Sequence, residues 1–307
     1  MLSSQGIRII NPILTTVAQG YIQANLVGHA LFPRVPVEIS GGQILQFGKE
    51  AFKQYSRRRA PGAGTSRITF GYLGNPFTLL NDALEAPVPR EYLRDAKVMP
   101  GIDLATRAVR LVMSSLALGL EIDQAALALT SSQYDANHQI ALTGTAKWSD
   151  PTSLPITQID TYKEAIRTST GINPNTLLLG NPAFLALRTN PQIQNQFKYT
   201  SADSITVEML ARAFDIEKVV VGKAVTASDA DVISDVWGNN AVLAYVPTAP
   251  SGLEEPSYGY TYTMTGHPLV EEPYYDNNAK SWIYGVGYER APVLSGITSG
   301  FLIQNPK

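Results

Sequence analysis

An α+β fold is predicted for this 307-residue chain on three observations. A long amphipathic helix is written between residues 103 and 129. An alternating helix–strand rhythm follows it, and the last fifth of the chain is dense in strand patterns. Hydrophobic residues make up 44% of the chain, enough to bury the core of one large domain or two modest ones.

Residues 1–32 contain Ile9, Ile10, Ile13, Leu14 and Val17 without a sustained period. They read as a short helix around Thr15–Asn25 or as an extended arm lying on another subunit. Val35, Val37 and Ile39 then alternate, and strand-like pieces flank Gly41-Gly42. A returning strand is expected at Arg67–Leu73, leading into FTLLNDALEAPVP. The whole is a long two-stranded excursion with a basic, glycine-containing distal part. Such a hairpin is marginally stable alone, so it is expected to lean on something outside itself.

The clearest helix spans Asp103–Leu129, with Asp103 as N-cap after Pro100-Gly101. Leu104, Ala108, Leu111, Ser115, Leu118, Ile122 and Ala125 repeat at helical spacing and predict the buried face. Val109, Val112, Leu116 and Leu120 widen it past half the girth. At about 1.5 Å per residue the helix is roughly 40 Å long.

Pro155–Ser169 is a helix with Ile156, Ile159, Tyr162 and Ile166 on one face. Leu177–Leu179 is a buried strand with both faces in core, turned by Gly180 and Pro182 into a helix at Ala183–Arg188. A helix at Val207–Phe214 and a strand at Ile216–Val221 complete an α/β unit. Strands follow at Ala241–Val246, Ser257–Thr265, Leu269–Glu272, Ser281–Arg290 and Thr298–Gln304. In the second of these, Tyr258, Tyr260 and Tyr262 alternate with small residues, so its two faces differ.

Chemistry is hard to place. There is no cysteine, which removes disulfides, thiolate metal sites and a cysteine nucleophile. A strand, a glycine and a helix at 175–191 suggest a phosphate cradle, but only one glycine follows the leucines. The segment Gly42-QILQF-Gly48-Lys49-Glu50 has one residue too many for a P-loop and a carboxylate where a hydroxyl is needed. His29, His138 and His267 stand far apart and read as surface or turn residues. Glu254-Glu255 and Glu271-Glu272 are adjacent pairs whose side chains diverge on a strand, so neither is an acid/base dyad. No enzyme activity, metal or cofactor is expected.

No basic-then-apolar leader opens the sequence. LVMSSLALGLEI comes nearest to a membrane span, but Glu121 and Asp123 close it, and it reads as a buried helix of a soluble protein without membrane partners. Lys and Arg total 24 against 26 Asp and Glu, a balance that argues against a chain dominated by nucleic-acid affinity. Charge is nevertheless patterned. Arg34, Lys49, Lys53, Arg57, Arg58, Arg59 and Arg67 face only Glu38 and Glu50 over the same stretch, a local +5. Residues 254–276 hold Glu254, Glu255, Glu271, Glu272 and Asp276 and no Lys or Arg. The basic stretch reads as a docking element for an acidic face of a neighbouring copy, as a solvated loop, or as a nucleic-acid contact.

A series of segments in order carries a family resemblance: WSDPTSLPI (148–156), GINPNTLLLGNPAFLALRTNPQI (171–193), FKYTSADSITVEMLARAFDIEKVVVGKAV (197–225), VWGNNAVLAYVP (236–247) and PSYGYTYT (256–263). The chain resembles the major capsid proteins of tailed bacteriophages with the Hong Kong 97-type fold, over most of residues 34–305. The likeness lies in packing patterns, not catalytic signatures. It implies an N-terminal arm (1–32) and an extended loop (33–90). It implies a peripheral domain (91–154 and 240–292), with the long helix as spine, and an α/β axial domain (155–239 and 293–307).

The implied function is an icosahedral shell of pentamers and hexamers around double-stranded DNA, located in the virion and assembled in the host bacterial cytoplasm. Portal, scaffolding or decoration proteins would be partners, and DNA contact weak and non-specific. A nanocompartment shell of the encapsulin type, enclosing cargo enzyme, is the alternative with the same fold. Because the sequence starts almost at the arm, a separate scaffold protein, or none, is implied. Some members cross-link an extended-loop lysine to a neighbour's asparagine. Lys49 and Lys53 with Asn277 and Asn278 are the candidates, but no motif matches and ion pairing is the plain reading of both lysines. The implied interface residues are Arg57, Arg58, Arg59, Lys49 and Lys53 on one side and Glu254, Glu255, Glu271 and Glu272 on the other.

Overall fold

The computed structural model describes residues 11–19, 25–46, 58, 73–96, 103–197, 205–228, 230–248 and 257–307. Two sheets organise them. In the six-stranded sheet the long strand β14 (Ser281–Leu294) is the axis. Along one side it pairs antiparallel with β4 (Leu80–Pro89) over ten residues, from Ser281↔Pro89 to Arg290↔Leu80. Its other side takes β13 (Tyr274–Asp276), β12 (Leu269–Val270) and β11 (Gly259–Met264) in turn, and β1 (Arg34–Val37) joins β11 in parallel. Alternation along β14 sends Tyr284, Val286 and Tyr288 to one face with Ala86 and Val88. On that face lie α1 (Pro12–Gln19) and the N-terminal half of α3 (Leu104–Leu129), through Leu14, Ala18, Val109, Val112, Met113 and Leu116.

The five-stranded sheet has the order β5 (Gln139–Ala141), β15 (Gly300–Gln304), β10 (Asn240–Ala244), β6 (Thr176–Gly180), β7 (Lys218–Gly222). Both its faces are covered. Leu177 and Leu179 enter a core with α4 (Pro155–Thr170), α5 (Asn181–Thr189), α6 (Pro191–Gln196) and α7 (Val207–Phe214). Leu178 points the other way, to Phe32, Ala125, Ala128, Trp237 and Tyr258. All three leucines are at most 1% exposed, as the sequence predicts, and each contributes about 1.5–3 kcal/mol by burial. A fourth core, with Val35, Val37, Phe77, Leu79, Tyr260 and Tyr262, lies where the extended loop leaves the body. The loop starts as β2 (Gly41–Gln46) paired with β3 (Leu73–Thr78). Smaller elements are α2 (Arg90–Ala96) and a hairpin of β8 (Val225–Ala227) with β9 (Ile233–Asp235).

The helix caps follow their chemistry. Asp103 Oδ1 accepts from Ala105 N at 3.0 Å and Thr106 N at 3.3 Å, starting α3 where the sequence predicts. Thr106 hydrogen bonding holds the Asp103 carboxyl below the ordinary carboxylate range. Thr206 caps α7, and Gly171 in the left-handed region (φ 74°) ends α4.

Several expectations are corrected. The first helix, Pro12–Gln19, starts three residues before the expected Thr15, because Asn11 Oδ1 accepts from Leu14 N at 3.1 Å; residues 20–24 lie outside the described residues. Of the returning strand expected at Arg67–Leu73, residues 67–72 lie outside the described residues, and Leu73 is in β3. FTLLNDALEAPVP is mostly strand: β4 sits at the sheet edge, where Pro87 and Pro89 cost no ladder bond. The buried face of α3 is narrower than predicted, keeping Ala108, Val109, Val112, Leu116 and Ala125 but losing one edge. Leu111 is 65% exposed and Ile122 36%, while Val109, Val112, Met113 and Leu116 are buried. Both rows are apolar, so spacing alone could not choose between them. By length and composition α3 also reaches what a membrane crossing needs, with a mean hydropathy of 1.4 over 18 residues, contrary to the expectation that nothing would. Its inward face is consumed by the two sheets. Asn240–Ala244 and Gln139–Ala141 pair into the sheet of β6 and β7.

Candidate assembly surfaces

The root of the extended loop is a polar junction inside apolar cores. Helix α3 carries Glu121 and Gln124 one turn apart, both 2% exposed. Glu121 Oε1 accepts from Val27 N at 3.0 Å and Trp237 Nε1 at 2.6 Å, and Oε2 from Gly28 N at 2.8 Å. The carboxylate is thus satisfied by three donors from two distant segments. Gln124 Nε2 donates to Thr261 Oγ1 at 2.9 Å, and Thr261 Oγ1 donates to Phe32 O at 3.1 Å. Gly28 permits this approach, since a Cβ there would lie 2.0 Å from Gln124 Oε1 and 2.8 Å from Glu121 Oε2. The chain between the arm and β1 is therefore clamped to the spine helix.

Beyond the clamp, Phe77 anchors the loop itself. Its ring stacks on Tyr262 with centroids 4.4 Å apart and lies over Gly42, its cross-strand partner. Burial raises the Tyr262 phenol to about 12. On the helix side of the same sheet, Arg290 is 3% exposed. It donates to Asp82 Oδ2 at 3.3 Å and to the carbonyl of Leu116, and its guanidinium sits 4.4 Å above the Tyr288 ring. Desolvation lowers the Arg290 pKa. Desolvation, with the nearby Asp82 charge, raises that of Asp123.

The predicted interface residues are placed unevenly. Glu271 is half-buried, its carboxylate over Gly285 beside the Glu85 side chain, and Glu272 is exposed. Tyr274 Oη donates to both Glu85 oxygens, at 3.3 and 3.1 Å. Its pKa is raised by desolvation, then by that hydrogen bond and the charges of Glu85, Asp276 and Glu271. An acidic surface of Glu85, Glu271 and Asp276 therefore exists on the opposite sheet face from α3. Arg58 is exposed. Arg57, Arg59, Lys49, Lys53, Glu254 and Glu255 lie outside the described residues. Asn277 and Asn278 lie exposed in the turn after β13.

One histidine departs from the surface or turn reading. His138 is 4% exposed, bonded through Nδ1 to Asp135 at 2.7 Å and through Nε2 to Ser169 at 2.6 Å, and braces β5 against α4. Sequence reasoning missed Glu121, Gln124 and Arg290 as structural centres. The available signal was a polar side chain within an apolar helix or strand. Among the described residues no group of three or more His, Asp or Glu could hold a metal ion. A shallow cavity of about 640 Å3 between α4 and α7 is lined by both signs of charge, Lys163, Arg212, Glu208 and Asp215 among them, and converges on no reactive group.

These features describe a structural scaffold with no reactive centre among the described residues, and comparison with known proteins gives the family. The family described as phage major capsid protein E matches residues 132–257. The major capsid protein of Burkholderia phage BcepMu is 35% identical over 301 residues, covering 97% of this chain and 96% of the relative. The chain belongs to the bacteriophage major capsid proteins. A crystal structure of a phage-related protein from Bordetella bronchiseptica RB50 superposes with a TM-score of 0.84 at 49% identity, covering 97% of this chain and 98% of that one. At the level of fold alone, the cyanophage P-SCSP1u capsid matches with a TM-score of 0.57 at 8% identity, covering 93% and 90%. The SrpI encapsulin of Synechococcus elongatus matches at 0.57 and 12%, covering 92% and 88%. The architecture is the Hong Kong 97-type α+β fold, and the capsid protein is a component of the virion that assembles into oligomeric shells.

Proposed function

We propose that copies of this capsid protein close as pentamers and hexamers into an icosahedral shell around the double-stranded DNA of a tailed phage. A single observation carries the reading: the chain builds a hairpin, β2–β3, that pairs with no other strand among the described residues and is anchored at its base by Phe77 in the core with Tyr262. A monomer has no use for such a hairpin, whereas a neighbour supplies the contacts it lacks. The BcepMu relative, a phage major capsid protein along its length, favours a genome over enzyme cargo.

In this reading 1–32 is the arm, 33–90 the extended loop, and the six- and five-stranded sheets mark the peripheral and axial domains. The boundaries shift so that 240–244 and 139–141 go with the axial sheet. Arg57, Arg58, Arg59, Lys49 and Lys53 of one copy dock on the acidic face of the next, with Glu254, Glu255, Glu271 and Glu272, joined by Glu85. Assembly takes place in the host cytoplasm with portal and scaffolding or decoration proteins, and the protein has no catalytic role.

Electron microscopy of the purified protein is the test. Uniform shells are expected, with double-stranded DNA inside native particles; a small monodisperse oligomer refutes the reading, and enclosed enzyme in place of DNA selects the encapsulin alternative. Replacing Arg57, Arg58 and Arg59 with Glu should reduce shell yield while the subunit folds normally. Unchanged yield removes the docking role.

A further inference from the structure

The β8–β9 hairpin contributes to none of the four cores. In the β8–β9 hairpin, Ala227 pairs with Ile233 and Val225 with Asp235, so Val225, Ala227 and Ile233 share a face. Val225 is 50% exposed, Val232 62% and Ile233 70%. β-Branched side chains bared on a hairpin that is marginal alone mark a contact surface. The same hairpin is acidic, with Asp231 and Asp235 both exposed. A surface of opposite character lies on the outward face of the first half of α3. There Leu111, 65% exposed, stands beside Arg107 and Arg110. Both arginines are exposed, and neither has a salt bridge among the described residues.

We propose that the β8–β9 hairpin of one copy seats on the outward face of α3 in a second copy. Val225 and Ile233, on one face of the hairpin, pack on Leu111, while Asp231 and Asp235 meet Arg107 and Arg110. The apolar pair excludes water and the charges set orientation. Because the two patches differ, the contact is heterologous and propagates around a ring of subunits instead of pairing two copies. This rests on the shell reading above, and it is separate from the docking of the extended loop.

The absence of cysteine makes the test direct. Shells of the double variant Leu111→Cys, Ile233→Cys are oxidised and run on a non-reducing gel. A ladder of multimers is expected from the double variant and none from either single variant. Shells that form but give no ladder overturn the proposal. Dimers from Ile233→Cys alone overturn it too, by placing hairpin against hairpin. Charge reversal is the second arm: Arg107→Asp with Arg110→Asp should lower shell yield about tenfold or more, and adding Asp231→Arg with Asp235→Arg should restore it. Wild-type yield from the first pair, or no recovery in the four-fold variant with an unchanged melting temperature, refutes the pairing. If the unaltered chain forms no shells, the shell reading falls, and this contact with it.

Discussion

Replacing Glu121 with Ala should be among the most damaging single changes to the isolated subunit. The carboxylate accepts from Gly28 N and Trp237 Nε1, both buried, and from Val27 N, which is partly buried. Leaving a buried donor unsatisfied costs about 1–3 kcal/mol. Two full penalties and a smaller third give about 3–6 kcal/mol, against a total stability of roughly 5–15 kcal/mol for a domain. Glu121→Gln should fall between, because one amide oxygen replaces two carboxylate oxygens and its NH2 would face a donor. Urea unfolding of unassembled subunits, followed by tryptophan fluorescence, measures both; Trp237 lies at the junction and reports on it directly. A loss below about 1 kcal/mol in Glu121→Ala would refute the reasoning, since water would then be satisfying the three donors.

Gly28→Ala should destabilise the same junction by about 1–3 kcal/mol, because its Cβ would fall 2.0 Å from Gln124 Oε1; Gly119→Ala, where a Cβ meets nothing within 4 Å, is the control in the same unfolding assay. Phe77→Ala removes the stack on Tyr262 and should cost about 3 kcal/mol, with faster proteolysis at the β2–β3 root as the local readout. Asp103→Ala should lose about 1 kcal/mol of α3 capping. Its pH dependence has a definite sign. The folded carboxyl titrates below its ordinary value, so the stabilisation is present above that value and is lost as pH falls through the lowered one. The difference between wild type and Asp103→Ala should therefore shrink on acidification, measured by circular dichroism melts.

How much of this was legible depended on whether pattern or partner decided the outcome. The α4–β6–α5 and α7–β7 units were read nearly to the residue because each carries its own cap or turn chemistry and local periodicity. Pro155 and Gly171 bound one helix, and Thr206 caps another. The buried face of α3 was read too wide for a reason local sequence cannot remove. Leu111 and Ile122 are as apolar as Val112 and Leu116, and only the position of the sheet selects the row that is buried. β4 was hidden by Pro87 and Pro89, which forbid a central strand but not an edge one. Strand order was invisible for a similar reason: β10 joins β6 and β15, which are 60 residues away on each side, and nothing within Asn240–Ala244 specifies those neighbours.

The buried polar groups decide how the parts are held relative to one another. Apolar cores of suitable volume tolerate repacking and small rotations, so they set stability more firmly than orientation. Glu121, Gln124 and Arg290 do not share that tolerance. Each reaches from one element to atoms on another: Glu121 from the helix to Gly28 and Trp237, Gln124 to Thr261, Arg290 from β14 back to the Leu116 carbonyl. A slip of α3 by one residue would leave Glu121 and Gln124 buried and unsatisfied at once and would take the Leu116 carbonyl from Arg290, at a cost of several kcal/mol. In a shell protein this has a direct use. On the proposed docking through the β2–β3 hairpin, any angular error at its base is magnified in the neighbour, and the polar clamps hold α3 to the chain entering β1 and to the loop before β10.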